Sequence, residues 1–312
     1  MSQADRHITV TCAPCCWGVD DVSNPHLPSW QTVLDEAAQT GFGGLELGPY
    51  GYMPLDVDTV GAALQERGLS IVAGTIFDDL VDPDNRDNLL RQTREICAFI
   101  TALPAPMRHD GQRYPAPYLT VMDWGHDERD FAAGHSDRAP RLSEAAWAGM
   151  MDNIRAISEC ARDEFGVRAT THPHAGGYIE FEDEIAKLAA DIGPETAGLC
   201  LDTGHLAYAG MDPVEMLRRY FDRLDYIHFK DIDPQVFSRV MGERIRFFEA
   251  CAQGVMCPIG RGNIDYPAIR KLLSELGYSG YITIEQERDP RNADGVTGDL
   301  AASRAFLAKT GF

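Results

Sequence analysis

The sequence predicts a (β/α)8 barrel, the TIM-barrel architecture, and three observations carry that expectation. Eight short β-prone runs recur along the 312 residues, and each is followed by a helix-patterned segment. That regular alternation implies parallel strands joined by helical crossovers. No Gly-rich phosphate loop follows the first run, where "CAPCCWGVDD" stands instead, so the doubly wound open sheet lacks its usual mark.

The strands are expected, in order, at "ITVTCAP" (8–14), "GGLELG" (43–48), "SIVAGTI" (70–76), "PYLTVMD" (117–123), "RATTHP" (168–173), "GLCLDTG" (198–204), "DYIHFKD" (225–231) and "YITIEQE" (281–287). The helical segments between them begin with "SWQTVLDEAAQTG" (29–41) and "DVDTVGAALQERG" (56–68) and end with "YPAIRKLLSELG" (266–277) and "DLAASRAFLAKTG" (299–311). Most place apolar residues at helical spacing, and several stop at Gly. Ser29 and Ser143 are placed to cap helices, and Asp212 is a cap with Pro at the first helical position. Two longer excursions, at about 104–142 and 232–263, interrupt the pattern and are expected to be lids or partner-contacting loops. No linker divides the chain, so residues 1–312 are expected to form one domain.

Composition narrows the function. Lys plus Arg is 28 and Asp plus Glu is 48, a formal charge of −20, and 44% of residues are apolar. Such an acidic surface argues against nucleic acid and membrane surfaces as partners. No apolar run approaches the roughly 18 residues of a membrane span, and "MSQADRHITV" lacks the features of a signal peptide. The eight cysteines lie mostly in apolar settings such as "EICAFI" and "GLCLD", which suits reduced thiols in the cytoplasm. "CAPCC" at 12–16 contains a C-x-x-C spacing without the helix that a redox motif opens.

In a barrel of this kind the active site forms at the C-terminal ends of the strands. The fifth strand ends in His172, the sixth in Asp202, the seventh carries His228 and the eighth ends in Glu285. Parity agrees, with Tyr226, His228 and Lys230 on one face of their strand and Tyr281, Thr283 and Glu285 on one face of theirs. Two imidazoles and two carboxylates suit Mn²⁺, Co²⁺, Zn²⁺ or Fe²⁺ and are too nitrogen-rich for Ca²⁺. Each residue alone has an ordinary structural role open to it; four on successive strand ends do not. Around them, Glu46, Asp123, His174, His205 and Lys230 are further rim residues, and Trp17 and Trp124 offer indole faces to a sugar or cyclitol ring.

Together "LELGPYGYMP", "THPHAGGYIE", "CLDTGHLAYAGMDPVEMLRRY", "YIHFKDIDP" and "YITIEQERDP" resemble the xylose-isomerase-like superfamily of sugar phosphate isomerases/epimerases, and within it the inosose dehydratases. The resemblance spans nearly the whole chain. It implies a divalent metal, Mn²⁺ or Co²⁺, at the barrel mouth and enolate chemistry on a ketone, with Asp202, His228 and Glu285 at positions of family ligands. Many epimerase relatives carry Glu where this chain has His172, and the dehydratase-like branch shares the departure. The expectation is therefore a cytoplasmic metal-dependent lyase that dehydrates a keto-cyclitol such as 2-keto-myo-inositol, with Glu285 as base and His205 or Glu46 as acid. His174, Lys230, Asp123, Trp17 and Trp124 are then substrate contacts. The alternatives are a sugar or keto-inositol isomerase/epimerase, β-elimination of a 3-keto-glycoside including C-glycoside cleavage, or a non-enzymatic polyol-binding or partner subunit. A homo-oligomer is compatible with any of these.

Overall fold

Alternation of apolar strands and amphipathic helices closes the chain on itself. The computed structural model describes residues 8–312. Its strands are β1 (Ile8–Cys12), β2 (Ala73–Asp78), β3 (Tyr118–Asp123), β4 (Arg168–Thr171), β5 (Gly198–Asp202), β6 (Leu224–Phe229), β7 (Asp231–Ile232), β8 (Met256–Cys257) and β9 (Gly280–Ile284). Seven of them form one parallel sheet in the order β1-β9-β6-β5-β4-β3-β2. The predicted strand at 43–48 shrinks to single bridges: Leu45 pairs in parallel with Cys12 on one side and Ile71 on the other, which closes the barrel. Gly44 explains the close approach, because a Cβ there would lie 2.9 Å from the Ser70 carbonyl oxygen.

The helices are α1 (Trp30–Gln39), α2 (Val57–Arg67), α3 (Arg86–Ala102), α4 (Asp127–Asp130), α5 (Glu144–Phe165), α6 (Glu182–Asp191), α7 (Thr203–Tyr208), α8 (Pro213–Arg219), α9 (Pro234–Glu243), α10 (Phe247–Ala252), α11 (Tyr266–Leu276) and α12 (Val296–Thr310). The anticipated caps form: Ser29 accepts from the Thr32 N–H, Ser143 from Ala146 and Asp212 from Val214 and Glu215. Gly68 and Gly166 end α2 and α5 with φ of 64° and 68°, a conformation that favours glycine. No described helix is long and apolar enough to cross a membrane.

Inside the barrel the side chains are layered. Tyr118 stacks on Tyr226 at 5.1 Å, and with Val72, Ala73, Cys200 and Tyr281 they fill the lower interior. Above them lies a polar layer: Thr11 shares a 2.7 Å hydrogen bond with Thr283, and the Tyr226 hydroxyl donates to Glu46 at 2.6 Å. The larger apolar cluster lies between sheet and helices.

The first excursion departs in part from the expectation of a lid. Residues 104–117 plug the opposite, N-terminal mouth, where Tyr281 Oη donates to the Met107 carbonyl at 2.6 Å and Ser279 Oγ to that of Asp110 at 2.8 Å. β3 then runs through the barrel wall, and only the rest of 104–142 borders the site. The second excursion is no open loop, since β7 and β8 pair antiparallel and α9 and α10 fold between them. Asp231 holds its base shut by accepting the backbone N–H groups of Gly260, Gly262 and Ile264.

Candidate metal centre and active-site cleft

Four strand ends deliver His172, Asp202, His228 and Glu285 to one point, with a ligand atom from each within 4.8 Å of the others. Backbone pairing fixes them. The His172 N–H extends the ladder to the Val121 carbonyl at 2.9 Å, and the Glu285 N–H does the same to Phe229 at 3.0 Å. Asp202 ends β5 and caps α7: Oδ1 accepts the His205 N–H at 2.8 Å, which leaves Oδ2 for the centre. Asp202 and His228 are register partners between β5 and β6.

Glu46 accepts from His228 Nε2 at 2.8 Å, so the proton belongs on that nitrogen and the Nδ1 lone pair faces inward. Nδ1 lies 3.0 Å from Glu285 Oε2 but makes no hydrogen bond. Both ring nitrogens of His172, fully buried, also lack a partner, with Nε2 at 3.9 Å from Asp202 Oδ2. Buried polar atoms left unpaired are costly, and lone pairs aimed at carboxylates are what a divalent cation relieves. The donor set therefore fits the metal that the sequence anticipates.

Lys230 gathers the negative charge. Its Nζ lies 2.9 Å from Asp202 Oδ2, 2.9 Å from Glu287 Oε1 and in contact with Glu285. Burial works against the ammonium, but these carboxylates outweigh it and hold its pKa well above the ordinary lysine value. Burial likewise opposes ionised Glu285, yet the positive charge of His228, present when Nδ1 is protonated and not ligating, and that of Lys230 keep its pKa well below the usual carboxylate range. Thr203 Oγ1 and Tyr266 Oη lock the Lys230 backbone.

His174 and His205 lie with ring centres 4.1 Å apart, and burial holds both well below the usual imidazole pKa. His174 Nδ1 donates to the Ala175 carbonyl at 2.9 Å, which turns its Nε2 lone pair outward. His205 Nδ1 accepts the Ala175 N–H at 3.0 Å, which puts its proton on Nε2. His174 lines the cleft; His205 stands behind it.

That cleft is about 640 Å³, open solvent at its mouth included, and is bordered by Glu46, Lys230 and Glu285 on one side and Phe77, Met122 and Phe248 on the other. Three expected substrate contacts fall outside its lining. Asp123 spends its oxygens on the Leu80 and Tyr178 N–H groups and on His126, because three loops need a shared acceptor there. Trp17 is buried with its indole N–H on Glu36, packed in the core. Trp124 stacks on Phe77 at 5.3 Å and meets Phe248 edge-on at 4.9 Å, so it backs the aromatic wall.

Sequence reasoning missed Glu287, Phe77 and Phe248, which do line the cleft. Glu287 shares the parity of Glu285 in "EQE", and carrying that parity to the last residue of the expected run 281–287 would have found it. No pattern marks Phe248, which arrives from α10.

A family model for the xylose isomerase-like TIM barrel matches residues 34–309. The chain belongs to the xylose isomerase-like TIM-barrel family. Among curated relatives, inosose dehydratase of Geobacillus kaustophilus (strain HTA426) is 31% identical over 305 residues, spanning 93% of this chain and 91% of that protein. Inosose dehydratase of Clostridium botulinum (strain Alaska E43 / Type E3) is 28% identical over 298 residues, 94% of each chain. Among solved structures, the IolI protein with a bound zinc atom superposes with a TM-score of 0.71 at 12% identity, covering 97% of both chains. An L-ribulose 3-epimerase gives 0.68 at 15%, covering 97% of this chain and 94% of that one. At these identities the structural likeness bears on the fold of the family, and the relatives bear on its chemistry.

Proposed function

We propose that this chain is a metal-dependent carbon–oxygen lyase that dehydrates a keto-cyclitol such as 2-keto-myo-inositol. The observation that carries the reading is the convergence of His172, Asp202, His228 and Glu285 at the floor of a cleft with an aromatic wall, in a chain whose curated relatives are inosose dehydratases. The mixed imidazole and carboxylate set suits Mn²⁺, Co²⁺, Zn²⁺ or Fe²⁺, and the family resemblance puts Mn²⁺ first. A divalent cation held there supplies Lewis acidity at the substrate's ketone oxygen.

The chain's own residues do the rest. Glu285, kept ionised by His228 and Lys230, takes the proton from the carbon next to the ketone. Glu46 gives a proton to the departing β-hydroxyl, being the one of the two sequence candidates that reaches the cleft; His205 stays behind His174 and orients it. The Lys230 ammonium offsets the charge that develops on oxygen. One proton leaves the carbon, one joins the hydroxyl, and the net loss is water. His172 stands where many epimerases of the family have Glu, which removes the second carboxylate that two-sided epimerisation uses.

The test is exchange of the substrate's α-hydrogen in D₂O with metal-loaded protein and 2-keto-myo-inositol. Glu285→Gln is expected to lose both exchange and about two to four orders of magnitude in turnover. Exchange at the wild-type rate in that variant would remove Glu285 as the base.

A further inference from the structure

The catalytic cleft does not end at Glu287. A second chamber of about 500 Å³, again counted with the solvent at its mouth, shares Asp20, Phe248 and Glu287 with it. The two chambers therefore adjoin across these three residues. Phe248 and Glu287 form the throat between them. Glu287 is buried, its Oε1 on Lys230 at 2.9 Å, while Oε2 has no hydrogen-bond partner. A buried acceptor without a donor, located where two chambers meet, is a place for a ligand hydroxyl.

The lining of the outer chamber indicates what it takes. Asn24, His26, Arg288 and Arg291 supply donors, and Asp20, Glu287 and Asp289 supply acceptors. Two guanidinium groups would suit an anion were they free, but Arg291 lies on Asp289 with Nε at 2.9 and 3.0 Å from its two oxygens, and Arg288 lies 3.2 Å from Asp299. Their charge is spent. Arg288 keeps an unpartnered Nε–H, and what remains is a wall of mixed donors and acceptors with an apolar edge from Phe248, Cys251 and Ala252. Such a surface matches a neutral ring bearing many hydroxyls, each both donor and acceptor, with its C–H face against the phenyl ring.

We propose that the outer chamber is a subsite for a second polyhydroxylated ring, joined through oxygen to the ring that the inner cleft holds, with Glu287 accepting a hydroxyl at the junction. The preferred substrate is then a substituted keto-cyclitol or keto-sugar, and a free one-ring ketone such as 2-keto-myo-inositol uses the inner cleft alone. This deepens the proposed function and rests on it for the identity of the inner ring. Binding of non-keto polyols keeps the two tests separate, because neither probe can be turned over by enolisation.

Calorimetry with the metal-loaded protein would compare myo-inositol, the two-ring galactosyl-inositol galactinol, and myo-inositol 1-phosphate. The expected result is that galactinol binds at least tenfold more tightly than myo-inositol. Ala252→Trp, which fills the outer chamber from an exposed position on α10 without touching the metal centre, is expected to abolish that difference and leave myo-inositol unchanged. Glu287→Gln, which turns the acceptor at the throat into a donor, is expected to reduce it. Equal affinity of the two polyols, no binding of galactinol, an advantage that survives Ala252→Trp, or preference for the phosphate would each overturn the proposal. Failure of α-hydrogen exchange would leave these affinities standing and count against the inner-site chemistry alone.

Discussion

Asp202 does two things at once: one oxygen caps α7 and the other faces Lys230 and the metal-ligand cluster. Removal of its side chain should therefore empty the centre and fray the start of α7. Metal analysis of purified Asp202→Ala is expected to find well under half the wild-type content; equal content would remove Asp202 from the site. A second residue-level prediction concerns Glu180, whose pKa burial raises from 4.5 to about 7 against the opposing pull of the Gly134 and Gly176 N–H groups and Arg129. The folded state holds this proton more tightly than the unfolded chain, so its contribution to stability is complete below about pH 4.5 and is lost as pH rises through 7. Relative to Glu180→Gln, the wild type should lose up to about 3 kcal/mol between those limits. Denaturant midpoints measured at pH 5 and pH 8 check it, and parallel behaviour of the two proteins contradicts it. At this scale the convergence of His172, Asp202, His228 and Glu285 was legible because a strand end fixes where a side chain points. Asp123 and Trp17 misled because a strand-end carboxylate and a loop indole serve loop closure and core packing equally well, and only the partners distinguish the roles.

At the scale of elements, caps and glycine stops placed the helices well, since those signals are local. The strand at 43–48 was readable in pattern, yet regular pairing there reduces to Leu45, with the Glu46 N–H on the Cys12 carbonyl and the Leu47 N–H on that of Ala73. What the sequence did not reveal is which mouth of the barrel a long connection covers, because that depends on contacts more than a hundred positions apart. The α9–α10 segment is the clearest case. Arg246 reaches Asp127 and Asp130, Asp130 also accepts the Phe247 N–H at 3.1 Å, and Phe247 and Phe248 are thereby pressed toward His174, His205 and the cleft. A half-exposed ion pair and one buried hydrogen bond together contribute about 1–2 kcal/mol. Asp130→Ala should consequently raise KM about three- to tenfold through a loosened aromatic wall, with kcat changed less. Steady-state kinetics separates the two, and an unaltered KM would show that α10 holds its place without this clasp.

The whole molecule puts a concentrated cation-binding centre inside a strongly acidic shell. A net charge of −20 disfavours phosphate-rich partners at long range, while the interior balances three carboxylates, Asp202, Glu285 and Glu287, with one lysine and room for a divalent ion. All eight cysteines are buried and unpaired, so the "CAPCC" run packs as apolar surface around β1. Parallel strands, helical crossovers and a site at the strand ends were all legible because repetition makes the barrel its own evidence. The full lining of the cleft was not, because part of it comes from an inserted helix and from a residue two beyond Glu285.

The central claim is that this centre removes water from a ketone. Its most direct test is the mass of the product after metal-loaded protein is incubated with 2-keto-myo-inositol, beside a chelator-treated control. The expected product is lighter by one water and forms only with the metal present; unchanged mass with a new isomer, or no reaction on keto-cyclitols at all, would contradict the proposed dehydration.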